Sequence, residues 1–544
     1  MKVIRKRILI ILPAILILAG YGFKSNFFEI AKQIEIYSAV FKQLDMYYID
    51  EINAGELNRK AMKKMLSSLD PYTVFYDEQG IEDVRIRRSG EYGGIGAYTR
   101  TRGKRLFILE PYKDAPAAKA GLKAGDEILA IDGIPVSESD GDNAGSLLRG
   151  LPGTKVELEI LRRGEKMKII VERAKIDVHP VPYYDMVNEN TGYISLVKFN
   201  EKTSRELLKA YRDLKNRGME KLILDLRGNP GGLLSQAISV VNMFVPKGKV
   251  VVNTKAKVKK WSKTYKTNSE PLDTEIPLAV LINGRSASAS EIVSGALQDY
   301  DRAVIMGERS FGKGLVQRYR NLPYGTQMKL TISKYYIPSG RCIQELDYSH
   351  KDKDGNIPKY SEGKVNTFHT ANGRKVIEGG GITPDIALKE TQTLDITRQL
   401  FKSDALFDFV TGYYYDHPGT IEPENFVLND EVFDLFMQYL IEHPEKYQTP
   451  TEKKIKTEIE KSQKEGFGEE IQATYKNFST ELAKIKTRQL QADKEYIMSY
   501  LTEEIVKRYA YREGAYRQKV HHDPWIQQAA NLLNDEKKYR KILK

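Results

Sequence analysis

The spacing of apolar residues changes along the chain and divides it into regions. Over residues 26–80, apolar side chains such as Ile30, Ile34 and Tyr37 recur at helical intervals, and a second helical run ends before Pro71. This pattern predicts a small N-terminal helical region that packs on itself or on a second copy of the chain.

Residues 88–175 have a different pattern, with glycine-rich turns between short runs of alternating apolar and polar residues. The runs "KVELEILRRG" and "KMKIIVERA" are typical of strands, and a short helix is expected near residues 143–148. We therefore expect a compact, strand-rich domain over residues 88–175.

Between residues 176 and 390, short apolar runs such as "KLILDLR", "PLAVLING" and "RAVIMGE" alternate with amphipathic stretches. This alternation predicts a largely parallel sheet covered on both faces. Residues 391–544 are highly charged and carry amphipathic helical stripes. The predicted fold class is therefore a multidomain mixture of α/β and α+β architecture with helical N- and C-terminal regions.

The first 25 residues begin with basic side chains and continue with an apolar run over residues 8–23. This arrangement is typical of a secretory signal or of a slightly short membrane anchor. No clear small-x-small cleavage site precedes Lys24. We expect an exported, periplasmic or cell-envelope protein that residues 8–23 anchor to the inner membrane, with a cleaved signal as the alternative.

The amino-acid composition bears on which classes of function are expected. The chain has 544 residues, 41% hydrophobic and 29% charged, with a net charge of +12. The positive excess is spread along the chain without a basic groove motif, so nucleic-acid binding is not expected. Cys342 is the single cysteine, which excludes an intramolecular disulfide. The segment His521–Asp523 is interpreted as a solvated tail, because adjacent histidines rarely chelate one metal ion without further ligands.

A candidate nucleophile lies in "RSASASEIV", where Ser286, Ser288 and Ser290 alternate after the strand "PLAVLING". Ser288 and Glu291 fit the S-x-x-E pattern of a helix capping box, which alone would be a structural role. The same position lies in the crevice at the carboxyl ends of parallel strands, where ligands bind. The amide of Ala289 would then point at an anion.

A serine nucleophile needs a base, and no histidine lies near this segment. Lys313, in "FGKG", follows one helix and one strand later, which returns the chain to a neighbouring strand end. To accept a proton it needs a pKa about 3 units below the usual 10.4 or so, and we expect burial beside Phe311, Val304 and Leu315 to lower it. Gln317 lies on the same side of the predicted strand, where it can hold the lysine amine.

A second glycine-rich turn occurs in "LILDLRGNPGGLL". Gly231 and Gly232 leave backbone N–H groups unhindered at the start of a helix. One of them, together with the amide of Ala289, would form an oxyanion hole. The turn does not match the phosphate-binding pattern G-x-x-x-x-G-K-[ST].

Together, "SASASEIVSGALQDYDRAVIMGERSFGKGLVQ", "DLRGNPGG", "PSGRCIQ" and "GGGITPDI" resemble the carboxyl-terminal processing peptidases, also called tail-specific proteases. The resemblance covers about residues 66–390. It implies a ClpP- or crotonase-like catalytic sheet over residues 176–390, with a PDZ domain inserted over residues 88–175.

The same resemblance implies a serine endopeptidase that acts through Ser288, Lys313 and Gln317, with no metal and no cofactor. Ser310 departs from the family, which usually has threonine before "FGKG". Because the hydroxyl is kept, we expect little consequence.

The resemblance also suggests how substrates are chosen. "GGIGA" resembles the carboxylate-binding loop of PDZ domains, which take up a peptide tail as an added strand. The expected substrate-binding residues are Gly93, Gly94, Ile95, Gly96, Ala97 and Arg149. The expected partners are proteins or peptides with free apolar C-termini, and Arg149 is hypothesised to report occupancy by changing its charge partner.

Two other functions are open at this point. An inactive PDZ adaptor would bind C-termini without cutting them, and loss of Ser288, Lys313 or Gln317 would mark it, yet all three are present. An enzyme acting on acyl thioesters would share the oxyanion hole, but a coenzyme substrate needs no reader of carboxyl termini. The helical stripes of residues 391–544 are expected to pack internally, with docking to a partner or a second subunit as the alternative.

Overall fold

The computed structural model describes residues 27–138, 141–362, 366–389, 393–464, 466 and 468–544. The expected anchor over residues 8–23 lies outside this part of the chain. Within the described part, no helix is both long enough and apolar enough to cross a membrane. The described residues form two compact units. One contains the described residues up to Asp77 together with Tyr319–Leu330, and the other contains the described residues of Glu78–Arg318 and Thr331–Lys544.

The first unit is mainly helical, as its apolar spacing predicts. Its elements are α1 (residues 27–47), α2 (Ala54–Ser67) and β1 (Val74–Tyr76). The side chain of Asn53 caps α2 by accepting a hydrogen bond from the Glu56 amide at 3.0 Å. β1 pairs antiparallel with residues 327–329.

The second unit begins with the region expected to be a PDZ domain. Its helices are α3 (Glu78–Ser89), α4 (Pro116–Lys119) and α5 (Gly141–Leu147). Its strands are β2 (Glu91–Gly94), β3 (Ala97–Arg102), β4 (Arg105–Pro111), β5 (Glu127–Ile131), β6 (Ile134–Pro135), β7 (Lys155–Arg162), β8 (Glu165–Glu172) and β9 (Ala174–Asp177). β3, β4, β5, β7 and β8 form an antiparallel sheet in that order, and β2 pairs with β9. Alternate residues such as Ile108, Leu158 and Ile160 form its core.

The region expected to be catalytic follows, with alternating strands and helices. Its helices are α6 (Thr203–Asn216), α7 (Leu234–Phe244) and α8 (Ala289–Asp299). Its strands are β10 (Tyr183–Met186), β11 (Thr191–Ser195), β12 (Lys221–Asp225), β13 (Val250–Ala256), β14 (Thr264–Lys266), β15 (Leu278–Ile282), β16 (Val304–Gly307), β17 (Leu315–Asn321), β18 (Gln327–Tyr336), β19 (Thr367–His369), β20 (Lys375–Ile377) and β21 (Ile386–Ala387). The main sheet has the order β10-β11-β12-β15-β16-β21, and all its pairs are parallel except β10 with β11.

The remaining helices of the second unit form the C-terminal region, as the amphipathic stripes predict. They are α9 (Asp395–Lys402), α10 (Ala405–Asp416), α11 (Asp430–Glu442), α12 (Pro450–Lys464), α13 (Gly468–Ala492), α14 (Lys494–His522), α15 (Pro524–Asn534) and α16 (Glu536–Leu543). α14 is kinked at Ala510 and Tyr511, and Tyr511 has a φ of 54°.

The two faces of the main sheet are covered by helices from different parts of the chain. Leu222 and Leu224 of β12 pack in one core with α6, α7 and α8. Ile223, between them in sequence, packs in a second core with Trp525 and Leu533 of α15. The predicted burial of both faces is therefore confirmed, but the second face is covered by the C-terminal region and not by a helix between two strands.

Candidate active site

Ser288 lies between β15 and α8, at the carboxyl end of the parallel sheet. Its backbone has φ 55° and ψ −109°, a conformation that residues other than glycine rarely adopt. The Ser286 hydroxyl donates to Leu226 O at 2.8 Å, and the Ser290 hydroxyl donates to Asn229 O at 2.9 Å. These two buried serines hold neighbouring loops together. Ser288 is half-buried and is the one of the three that remains partly accessible to a substrate.

Glu291 connects Ser288 to the segment that carries Lys313. Its buried carboxylate accepts hydrogen bonds from the amides of Ser288 at 2.7 Å and Lys313 at 2.9 Å. It also accepts from the Ser310 hydroxyl and the Gly312 amide, each at 2.6 Å. Burial raises the pKa of Glu291, while the four donors favour its ionised form. Because the Ser288 and Lys313 amides share one oxygen, Oε2, the two residues are brought together at the sheet edge.

Tyr335 hydrogen-bonds to the backbone of Ser288 and of Lys313. Its hydroxyl lies 2.6 Å from the carbonyl oxygen of Lys313 and 3.2 Å from that of Ser288. The Tyr335 ring is buried, so these contacts fix backbone positions away from bulk water. Gln317 lies on β17, and its side-chain nitrogen donates to Thr331 Oγ1 at 3.4 Å.

The apolar surroundings expected for Lys313 differ from the prediction at two positions. Leu315 is buried, but Phe311 is 48% exposed. Val304 is the first residue of β16 and packs in the core beneath α15, at the end of the strand opposite Ser288. The prediction placed Val304 beside Lys313 from sequence proximity alone, whereas the strand separates the two along its length.

The "GNPGG" turn is pressed against Ser288. Gly231 has a φ of +95°, and a Cβ there would lie 2.8 Å from Ala289 N and 2.9 Å from Ser288 Cβ. A Cβ at Gly232 would lie 2.0 Å from Phe199 O. Only glycine fits at either position, because a side chain would displace the turn or the serine.

The two glycine amides differ in what they contact. The Gly231 amide donates to the Asn229 side chain at 2.9 Å. Asn229 in turn donates to Leu196 O at 2.7 Å. The structure therefore brings Gly231, Gly232 and Ala289 together beside Ser288, with the Gly231 N–H already engaged.

A buried ionic cluster lies directly before this turn. Arg227 contacts the Asp225 carboxylate at 2.7 Å and the Asp523 carboxylate at 2.9 Å. Tyr193 donates to Asp225 at 2.8 Å. Burial opposes ionisation of Asp225, but Arg227 and Lys519 lower its pKa to about 2.

Asp523 corrects the interpretation of the segment His521–Asp523 as a solvated tail. Its side chain caps α15 by accepting hydrogen bonds from the amides of Trp525 and Ile526, and it also binds Arg227. The His522 ring contacts Glu424 O at 2.7 Å. In the described part of the chain, no group of three or more His, Cys, Asp or Glu is arranged to hold a metal ion.

The residues expected to bind a peptide tail lie at the turn from β2 to β3. Gly93 and Gly94 belong to β2, Ile95 and Gly96 form the turn, and Ala97 begins β3. Residues 149 and 150 lie beside this turn. Gly94 forms a β-bridge with Arg149, and the Gly150 amide donates to Gly93 O at 3.1 Å. The Arg149 side chain pairs with Asp83 of α3. All six predicted residues are therefore neighbours.

A cavity of about 920 Å³ lies between the PDZ region, the chain leading into the main sheet and the kink of α14. Tyr98, Lys198 and Arg512 are among its lining residues. Burial and the nearby Arg512 lower the pKa of Lys198. Lys198 directly precedes Phe199, which forms a β-bridge with Gly232 of the glycine turn.

Residues 190–349 match the family model described as peptidase family S41. Residues 107–162 match a PDZ domain, and residues 396–533 match "Probable PDZ-protease, C-terminal helical domain". The carboxy-terminal-processing protease of Bartonella bacilliformis is 39% identical over 321 residues, which cover 58% of this chain and 73% of that protein.

One further curated relative and one solved structure are also similar to the chain. The carboxy-terminal processing protease CtpA of Bacillus subtilis is 34% identical over 324 residues, covering 59% of this chain and 69% of that protein. The solved structure of a photosystem II D1 C-terminal processing protease is 26% identical with a TM-score of 0.36, covering 65% of this chain and 92% of that chain.

Proposed function

The chain belongs to the carboxy-terminal processing proteases of peptidase family S41, and from this premise we propose that it cleaves protein substrates after its PDZ domain has bound their carboxyl-terminal tails. The observation that carries this proposal is the shared bonding of the Ser288 and Lys313 amides to one oxygen of Glu291. It ties the nucleophile and the base to a single buried group.

The proposed reaction proceeds through an acyl-enzyme. In its neutral form, Lys313 takes the proton of the Ser288 hydroxyl while the serine oxygen attacks the scissile carbonyl. Lys313 then passes the proton to the leaving amine, and a water molecule, deprotonated by the same lysine, releases the acyl group. Gln317 positions the lysine amine.

The oxyanion of the tetrahedral intermediate needs N–H donors beside Ser288. We assign these to Ala289, at the start of α8, and to Gly232. Gly231 becomes available only when Asn229 releases its amide, because that bond is formed in the present structure.

Tail recognition is assigned to the turn Gly93–Ala97. A bound tail would add as a strand beside β3, and backbone amides of the turn would hold its terminal carboxylate. Apolar terminal residues fit best, because Ile95 and the neighbouring core are aliphatic. We propose that the chain upstream of the tail passes through the cavity lined by Lys198 and Arg512 on its way to Ser288.

The first 25 residues are proposed to export the protein and residues 8–23 to anchor it in the membrane, in a periplasmic or cell-envelope location. The proposed homo-oligomer forms through α1, whose apolar side chains Phe28, Ile34 and Val40 are 71%, 60% and 54% exposed. A second copy would cover them. Sedimentation of the full chain with Ile34→Glu and Val40→Glu tests this, and an unchanged mass would exclude α1 as the interface.

The test of the activity uses the purified full chain and a soluble unfolded protein ending in an apolar tail. The same protein with a highly charged tail is the matched substrate control. The wild type should release shortened fragments from the first substrate only. Ser288→Ala and Lys313→Ala should retain tail binding and lose cleavage, and Gln317→Ala should slow it.

The outcomes of this test distinguish the proposed protease from an inactive PDZ adaptor. Cleavage by Ser288→Ala at the wild-type rate would remove the proposed nucleophile. Tail binding by a wild type that cuts nothing would instead favour the inactive PDZ adaptor.

A further inference from the structure

A strongly basic hairpin projects from the catalytic region next to the main sheet. It consists of β13, β14 and the turn between them, with the residues that flank the strands. Between residues 247 and 269 the chain has no aspartate or glutamate. The same stretch carries eight exposed lysines, Lys247, Lys249, Lys255, Lys257, Lys259, Lys260, Lys263 and Lys266.

These charges are largely uncompensated by the protein itself. Among the residues that the structure describes, only Lys247 of the eight has a carboxylate within ion-pair distance, that of Glu270 at 3.6 Å. Lys255 lies over the ring of Tyr336, 4.3 Å from its centroid. Lys255 is also directly opposite Lys334 in the β13–β18 register, an arrangement of like charges that destabilises a strand pair.

The tip of the hairpin combines this charge with apolar side chains. Residues 259–261 form a short 3₁₀ turn that ends in Trp261. Val258 precedes it and is 39% exposed, although lysines flank it on both sides. Tryptophan and aliphatic residues ringed by lysine are typical of surfaces that lie at the boundary between water and a bilayer.

We propose that this hairpin docks on a bilayer surface with anionic headgroups. All eight cations are lysine and none is arginine, which suits diffuse attraction to a charged surface better than bidentate recognition of one phosphate or carboxylate. The basic residues cover both strands and the turn, so they match a flat, extended partner.

The docked hairpin would bring the active site close to the membrane. Thr254 of β13 pairs with Tyr335 of β18, and the Tyr335 hydroxyl contacts the carbonyl oxygens of Ser288 and Lys313. The basic surface and the catalytic pair are therefore connected through one strand pair. Substrate tails that lie near the bilayer would be reached most easily.

The chain has two tryptophans, and this provides a direct readout. Trp525 is 7% exposed beneath the main sheet, so only Trp261 can approach lipid. The full chain is reconstituted in vesicles of brominated phosphatidylcholine, with or without brominated phosphatidylglycerol. Bromine quenches tryptophan fluorescence at close range, so quenching reports contact between the hairpin and the bilayer.

Two variants, each with four lysines changed to glutamine, isolate the hairpin. The test variant changes Lys257, Lys259, Lys260 and Lys263. The control variant changes Lys453, Lys454, Lys456 and Lys476, which are exposed on α12 and α13 and remove the same charge.

We expect quenching of the wild type and the control to rise when phosphatidylglycerol is present. Quenching of the hairpin variant should stay at the level measured in phosphatidylcholine alone. High salt should abolish the difference, because it screens the attraction. Cleavage of a soluble tailed substrate should be equal in all three proteins, which separates this proposal from the proposed protease activity.

Equal quenching of the wild type in neutral and anionic vesicles would overturn the proposal, and so would anion-dependent quenching that survives in the hairpin variant. If the hairpin variant keeps that quenching but no longer binds soluble polyglutamate, the surface recognises acidic protein segments, and membrane docking is wrong.

Discussion

Arg227 and Asp523 form two hydrogen bonds, at 3.1 and 2.9 Å, although 296 positions of sequence separate them. Arg227 directly precedes the glycine turn beside Ser288, and Asp523 caps the start of α15. The C-terminal helical region is therefore bonded to the backbone segment that is proposed to hold the oxyanion.

Asp523→Asn tests whether this bond positions the turn. Asparagine keeps the cap of α15, because it is as good an N-cap as aspartate, but it removes the charge that faces Arg227. We expect kcat to fall about tenfold, equivalent to about 1.4 kcal/mol, with little change in KM. Unfolding should become easier by about 1–3 kcal/mol.

Asp535→Asn is the matched control for Asp523. Asp535 caps α16 by accepting from the Lys538 amide at 3.0 Å. The Asp535→Asn variant should leave kcat unchanged. An equal fall of kcat in both variants would mean that general loosening of the C-terminal helices, and not the bond to Arg227, controls the rate.

Gly231→Ala tests the close approach of the turn to Ser288. The new Cβ would lie 2.6 Å from Ala287 O, so the turn or the serine must move. We expect peptide cleavage to be lost while thermal unfolding remains cooperative. The measurement is the cleavage rate of the tailed substrate alongside a melting curve.

Gly228→Ala provides the comparison within the same turn. Gly228 has a φ of +71°, but nothing lies within 4 Å of a Cβ built there. Gly228→Ala should destabilise the fold by about 1–3 kcal/mol through backbone strain, without a steric clash. If it abolishes cleavage as fully as Gly231→Ala does, strain and not crowding of Ser288 is the cause.

Asp225 should make the protein sensitive to acid. Its folded pKa of about 2 lies below the ordinary value of 3.8, so its contribution to stability is complete above 3.8 and disappears as the pH falls through about 2. The contribution is about 2 kcal/mol. We expect the unfolding free energy of Asp225→Asn to depend less on pH across this window, by about that amount, in urea titrations.

Asp434→Asn should keep the pH dependence of the wild type, because Asp434 is exposed on α11. An Asp225→Asn protein that loses stability with acid as steeply as the wild type would show that the cluster around Arg227 does not hold this carboxylate ionised.

Arg149→Ala tests whether the pair with Asp83 reports occupancy of the tail site. Breaking the pair from either side should reduce the ratio of cleavage rates between apolar-tailed and charged-tailed substrates. Asp83→Asn should have the same effect as Arg149→Ala. Arg85→Ala serves as control, because Arg85 pairs with Glu82 on the same helix at 2.6 Å. A ratio unchanged in both pair variants would end this hypothesis.

Local patterns predicted the parts of the fold that depend on neighbours in sequence. The apolar runs of β12, β15 and β16 and the helix after Ser288 follow from periodicity and from the S-x-x-E pattern. The kept hydroxyl of Ser310 donates to Glu291 and accepts from the Ile382 amide at 2.6 Å. Lys313 and Gln317 are proposed from their positions after the helix that follows Ser288, and the family resemblance then supports both, since no periodicity distinguishes them.

The relationships that sequence reasoning missed depend on distant contacts. The sequence around Glu291 indicates only half of a capping box, because the bonds of Glu291 to Gly312 and Lys313 arise from packing of the following strand. The sequence around Asp523 indicates a solvated tail, since nothing local indicates the bond of Asp523 to Arg227. The lysines of β13 and β14 form a local cluster of positive charge. A net charge averaged over the whole chain does not reveal such a cluster.

The main sheet is covered on one face by α15 and α16, so that face can be buried only after these two helices have been synthesised. The Leu278 amide of β15 donates to the hydroxyl of Tyr539, 261 positions later. At typical rates of translation the ribosome needs on the order of ten to fifty seconds to cross that distance. Throughout this interval one face of the sheet lacks the helices that cover it, so its apolar side chains stay exposed and the nascent chain is prone to aggregate.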